Sequence, residues 1–363
     1  MHFFCRHPRS HPVLSQLRTV ATSTLFCLVL ATSAQAQLVC GDAVEPGSKV
    51  VLTADVDGCT GAGVAALTIT GPATVDLNGF QVRCSVIDPA DGIAILGVGV
   101  RLSNGSVRGC NAFGVSLGGS GRHTLTDFAV KASSGDGVLV ASDSNTLRGV
   151  AATNGNASGF NFTGSANRVS ECTATNNNDQ GFVVAGDATK LSSNAAVNNQ
   201  KEGFLVGGNG NRLKANTATT SGREGFELAG NDNRLKRSIA IRNTQEGVVV
   251  AGNDNRVDRV VAIHNAGHGF SVSAGSGSRL KRCSTTSNGG AGFDLAAGPT
   301  SIRGGRSMNN ATNGLRASGG FDNRIEDVVS LESGTNDVSD SNACGDTRWR
   351  NNTFRTSNDL CIE

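Results

Sequence analysis

From residue 92 onward, apolar and polar positions recur on one schedule. The stretches EGFLVGGNGNRLKANTATTSGR, EGFELAGNDNRLKRSIAIRNTQ and EGVVVAGNDNRVDRVVAIHNAG follow one another directly, and each is 22 residues long. The glycine ahead of the apolar triplet falls at Gly92, Gly114, Gly137, Gly159, Gly181, Gly203, Gly225, Gly247, Gly269, Gly292 and Gly314, with every step 22 or 23 residues. A fixed period of this size marks a solenoid, because one repeat cannot bury its apolar face until a neighbour stacks on it. Within a period the runs are short, alternate apolar with polar, and are broken by Gly, Asn and Asp, which are strand and turn signals. Three short strands per coil predict an all-β chain: a parallel β-helix solenoid of about twelve 22-residue coils.

Stacking turns the repeat into columns, since residues one period apart lie about 4.8 Å apart across hydrogen-bonded strands. Ile93, Val115, Val138, Phe160, Phe182, Phe204, Phe226, Val248, Phe270, Phe293 and Leu315 form one inward column, and Leu125 to Ile325 a second. Ala152, Ala174, Ala196, Ala218, Ala240 and Ala262 form a third that admits only a small side chain. Asn177, Asn199, Asn243, Asn265, Asn288 and Asn310 are placed for an amide ladder along the stack.

The ends of the chain read differently. Residues 1–36 carry Arg6, Arg9 and Arg18, a short apolar run from Leu25 to Ala31 and a small-residue site at Ala34-Gln35-Ala36, the pattern of an export signal. Residues 37–91 are assigned to an N-terminal cap and first coils, 92–340 to the repeats and 341–363 to a C-terminal cap. Removal of the leader takes the formal charge from +2 to −1, which gives no global attraction to nucleic acid or membrane. No other segment is long and apolar enough to span a bilayer. A secreted or periplasmic monomer is expected, in a compartment where cysteines pair. The 26-residue offset of Cys84 and Cys110 matches that of Asn78-Gly79 and Asn104-Gly105, so the two cysteines are expected to stack and bond. Cys40 with Cys59, and Cys344 with Cys361, are expected to staple the two caps. Cys172 and Cys283 share a column about 24 Å apart and remain buried thiols.

These repeats resemble the right-handed parallel β-helix repeats of the pectate-lyase-like superfamily. The segments Cys40-Gly41-Asp42, Thr74-Val75-Asp76-Leu77-Asn78-Gly79 and Trp349-Arg350-Asn351-Asn352-Thr353-Phe354 resemble the caps of exported bacterial β-helix proteins. The resemblance implies the hand of the coil. It leaves the activity open, because lyases, hydrolases, epimerases, adhesins and copper-delivery proteins share that fold.

Two surface patterns could carry chemistry. The residue before each glycine reads Asp136, Ser158, Gln180, Glu202, Glu224, Glu246, His268. Stacked glutamates repel by about 0.9 kcal/mol per neighbour even in bulk water, and Lys201, Arg223 and Arg242 are the cations expected to offset this. As a working site the column offers Glu202, Glu224 and Glu246 as calcium ligands, Arg223 or Arg242 as a substrate clamp, and Glu224, Glu246, His264 or His268 as acid–base groups. No other cofactor is expected. The second pattern is an outward basic column, Arg168, Lys190, Arg212, Arg234, Arg256 and Arg279, with Arg148, Lys214, Lys236, Lys281 and Arg303 two residues on. Asp258 and Glu326 interrupt it, and Asp232 and Asp254 in the preceding turn are expected to pair part of it.

Gly267-His268-Gly269 and Arg279-Leu280-Lys281 resemble polygalacturonase motifs, yet most of both is in register with the neighbouring repeats, and that family's three aspartates have no counterpart. A copper carrier is the weakest reading, since His and Met are scarce, and a serine nucleophile is equally unsupported, since no serine has an elbow context. The reading that remains is a non-catalytic exported scaffold contacting acidic polysaccharide or a cell-surface glycan. The alternative is a lyase, epimerase or hydrolase acting on uronate-containing glycans.

Overall fold

A computed structural model describes residues 34–59, 65–84, 91–343, 345–358 and 362. The described chain contains strands and turns but no helix, and the repeats stack as the period requires. Each coil of the regular region has three short strands. In the coil of Phe204 these are Phe204–Val206, Arg212–Lys214 and Thr217–Thr219. Each pairs in parallel with its equivalent one repeat on: Phe204 with Phe226, Leu213 with Leu235, Ala218 with Ala240. First strands form a 14-stranded sheet, while second and third strands share a 25-stranded one. In the earlier coils the second and third strands fuse, as in Arg101–Arg108 and Thr124–Lys131.

The corner after the third strand is turned by a residue in the left-handed region, with φ of 55° at Asn176, 53° at Asn198, 52° at Thr220, 55° at Arg242 and 56° at His264. Asparagine suits that conformation because its short amide offsets part of the steric cost. The same corner throws Arg242 and His264 outward, where both are exposed.

The core is columnar. Phe160, Phe182, Phe204 and Phe226 stack with ring centroids 4.7, 4.7 and 4.9 Å apart and nearly parallel planes. The alanine column is small because it faces the glycine column. A Cβ added at Gly203 would lie 2.7 Å from the Cβ of Ala218, and one at Gly225 would lie 2.8 Å from that of Ala240. The amide ladder forms, with Asn177 donating to Asn199 at 2.9 Å and Asn243 to Asn265 at 2.8 Å. A second buried amide column, absent from the sequence reading, runs through Asn145, Asn167, Asn211, Asn233 and Asn255 and caps backbone N–H groups of the neighbouring coil.

Disulfides join Cys40 to Cys59 and Cys84 to Cys110. Cys172 and Cys283 are free and buried, and burial pushes both thiols up to about 12, so they are inert at neutral pH. Cys344 and Cys361 lie outside the described residues, as do residues 1–33. Ala34–Ala36 pairs in register with Val50 to Leu52. Among the described residues no helix is long and apolar enough to cross a membrane.

Candidate functional site: a carboxylate cluster and an unpaired basic row

The middle residue of each first strand points outward, next to the residue that precedes the glycine. On two adjacent coils this geometry gathers Glu202, Glu224 and Glu227, with one carboxylate oxygen from each lying within 4.8 Å of the others. Glu202 is only 1% exposed. It accepts hydrogen bonds from Arg223 Nη1 at 2.7 Å and from Gln180 Nε2 at 3.0 Å. Glu224 is half-buried, and its Oε2 is buried without a hydrogen-bond partner. Burial first, then the charges of Glu202 and Glu227, raises the Glu224 carboxyl above its ordinary value. Burial and then Glu202 raise Glu227 in the same way. The exposed Arg223 guanidinium is held charged chiefly by Glu202.

The column reading needs correcting in three places. Lys201 does not offset the glutamates, because it pairs with Asp179 at 2.8 Å. Arg242 makes no ion pair among the described residues, since the left-handed corner turns it away. Glu246 stands one coil beyond the three-carboxylate cluster, and its place there is taken by Glu227, a residue that column counting missed. The alternation rule could have found it, because Glu227 is the outward residue of Phe226–Leu228.

Nor does His268 join the glutamates. Its Nδ1 accepts the Ala291 N–H at 2.8 Å, and its Nε2 lies 3.6 Å from Asp294, which Arg316 Nε binds at 2.7 Å. His264 is exposed at its corner and is not part of the cluster found among the described residues. The remaining histidine of the repeats, His123, is a core residue whose Nε2 donates to Gly118 O at 2.9 Å, and burial lowers its pKa.

Glu224→Gln tests the electrostatics. A carboxyl raised above the ordinary 4.5 holds its proton more tightly in the folded than in the unfolded chain. Its ionised form therefore lowers stability above the raised value, and that cost disappears as pH falls toward 4.5 and below. The variant is expected to melt higher than wild type near about pH 7 and to converge with it near about pH 4. A lower melting midpoint at neutral pH would show that the carboxylate has a stabilising partner.

The second feature lies on the second strands. Arg168, Lys190, Arg212, Arg234, Arg256 and Arg279 are mutual neighbours in register, and all are exposed. None forms an ion pair among the described residues. The expected pairing with Asp232 and Asp254 does not occur, because both aspartates sit in left-handed turns, at φ of 54° and 53°. Asp258 instead takes Arg282 at 3.0 Å and Lys236 at 3.7 Å, and Glu326 takes Arg324 at 2.6 Å. The acids in the neighbouring column are thus consumed by other cations. Six like charges remain stacked over about 24 Å.

Among solved structures, the chain is similar to a mutant of the periplasmic alginate epimerase AlgG, with 11% identity, a TM-score of 0.46, and coverage of 80% of this chain and 76% of that one. It is similar to the A-module of the mannuronan C-5 epimerase AlgE4 of Azotobacter vinelandii, at 14% identity and TM-score 0.39, covering 86% of each chain. It is also similar to pectate lyase Pel9A, at 14% identity and TM-score 0.34, covering 85% and 72%. No curated protein matches the sequence. The profile described as the right handed beta helix region matches residues 91–238 and 224–362, and with the parallel coils seen above this places the chain in the right-handed β-helix family.

Proposed function

We propose that this is an exported, monomeric glycan-binding scaffold whose basic row holds an acidic polysaccharide along the solenoid axis. The observation that carries the reading is the unpaired row from Arg168 to Arg279. Stacked like charges are unfavourable, and a structural ladder would be relieved by acids such as those its neighbours have. A linear polyanion with one charge per sugar can lie along the row and supply the missing counter-charge. Five of the six cations are guanidinium groups, which stay protonated and so bind without serving as acid or base. Nucleic acid fits less well: the phenylalanine column is buried, the chain has no tyrosine, and among the described residues no exposed aromatic row offers a face to bases. The export signal and the disulfides also favour a cell-surface or extracellular polymer. Polygalacturonate is expected to bind, and its fully methyl-esterified form, with the same backbone and no charge, is not. Equal binding of the two polymers would remove the basic row from the account.

A second reading rests on the buried, partnerless Oε2 of Glu224. Here Glu202, Glu224 and Glu227 hold calcium, or Glu224 and Glu227, whose carboxyls burial raises above their ordinary value, act as acid–base groups on a uronate-containing glycan in a lyase, epimerase or hydrolase. In this reading Arg223, already bound to Glu202, orients the carboxylates. Calcium should then raise the melting midpoint of wild type and leave Glu224→Gln unmoved. If neither calcium nor polyuronate shifts either protein, the cluster is structural.

A further inference from the structure

The corner that follows the third strand carries a different surface. The left-handed residues Asn176, Asn198 and Thr220 form one row, and Asn178, Gln200 and Gly222, two residues on, form another. Between them runs a groove of about 430 Å³, floored by Asn177 and Asn199. Its walls are amides linked along the stack: Asn198 Nδ2 donates to Asn176 Oδ1 at 2.8 Å, and Gln200 Nε2 to Asn178 Oδ1 at 3.0 Å. Asn178 Nδ2 extends the second row by donating to Asn156 Oδ1 at 3.2 Å. A primary amide has two N–H groups and two lone pairs on oxygen, and a ladder uses one of each. Each wall therefore keeps a free donor and a free acceptor per coil. At Gly222 the amide row stops, because a Cβ there would collide with the Gln200 carbonyl, and the groove opens toward Thr220 and Thr244.

No charged residue lines this groove. Lys201 and Asp179, adjacent in sequence to its wall, neutralise each other at 2.8 Å. An anion gains little here, whereas vicinal hydroxyls match donor and acceptor pairs repeated at the coil spacing. We infer that the groove is a second binding site, one for a neutral, hydroxyl-rich chain such as an uncharged oligosaccharide. It is separate from the basic row and does not depend on it. With hydrogen bonds and no aromatic platform among its lining residues, its affinity falls in the weak, millimolar range.

The test is ¹⁵N NMR of side-chain amides in the full mature chain, titrated with maltohexaose, cellohexaose and mannohexaose, and with hexagalacturonate as the acidic control. At least one neutral hexamer is expected to move the signals of Asn176, Asn178, Asn198 and Gln200, with no loss of binding in high salt. The exposed pair Asn178→Ala and Gln200→Ala should weaken that binding roughly tenfold. Gln200→Glu, which keeps the length but removes the N–H donors, should weaken it in the same direction. The inference is overturned if no neutral hexamer moves these signals, if only hexagalacturonate does, if high salt abolishes the shifts, or if the double variant binds as wild type. Loss of polygalacturonate binding in basic-row variants would leave this result untouched, so the two sites fail independently.

Discussion

Replacing Phe204 by alanine is expected to cost about 3–5 kcal/mol of unfolding free energy. The ring is fully buried and is sandwiched at 4.7 Å by Phe182 and at 4.9 Å by Phe226, so truncation removes two aromatic contacts as well as apolar area. The void has little means of collapsing, because the spacing of adjacent coils is set by backbone hydrogen bonds such as Phe204 N to Gly225 O at 3.0 Å. Phe204→Leu, which keeps most of the volume, is expected to lose well under half as much. Urea unfolding followed by circular dichroism measures both. A loss below about 1 kcal/mol for the alanine variant would mean that the column is not the packed core described.

The second large effect concerns binding. Changing Arg212, Arg234 and Arg256 together to serine is expected to weaken polygalacturonate binding by roughly two orders of magnitude. The estimate takes three ion contacts at about 1 kcal/mol each in water, with about 1.4 kcal/mol per factor of ten. The same variant is expected to unfold no more readily than wild type, because these exposed guanidinium groups have no ion-pair partner among the described residues, and their removal lowers like-charge repulsion in the row. Weaker binding together with unchanged or greater stability is the signature of charges kept for a ligand. Lower stability with unchanged affinity would assign the row to the fold.

How far the sequence could be read follows from what stacking does and does not determine. The period, the phenylalanine column and the Cys84 to Cys110 bridge could be read because each depends only on which residues lie one coil apart. The alanine column could be seen but not explained until Gly203 and Ala218 were found face to face. Asn145, Asn167, Asn211, Asn233 and Asn255 look like turn residues in the sequence, yet all five are buried, because the backbone takes up most of their amide groups, as where Asn233 and Asn255 donate to Gly208 O and Gly230 O at 2.9 Å. Of the carboxylate cluster, Glu202 and Glu224 were legible and Glu227 escaped. Vertical counting brought Glu246 beside Glu224, whereas the strand after the glycine brings Glu227 in laterally. Partner choice among surface charges was read in part: Arg223 offsets Glu202 as expected, whereas Lys201 reaches Asp179 by side-chain direction rather than by column.

The central claim, that the Arg168 to Arg279 row is a polyanion site, is tested most directly by the salt dependence of polygalacturonate affinity in wild type and in the triple serine variant. Each neutralised pair releases counterions, so the logarithm of the wild-type association constant should fall steeply and linearly with the logarithm of salt concentration. The variant, with half of the row removed, should show a distinctly shallower slope. An affinity that is flat with salt in wild type, or an equal slope in both proteins, would contradict the claim.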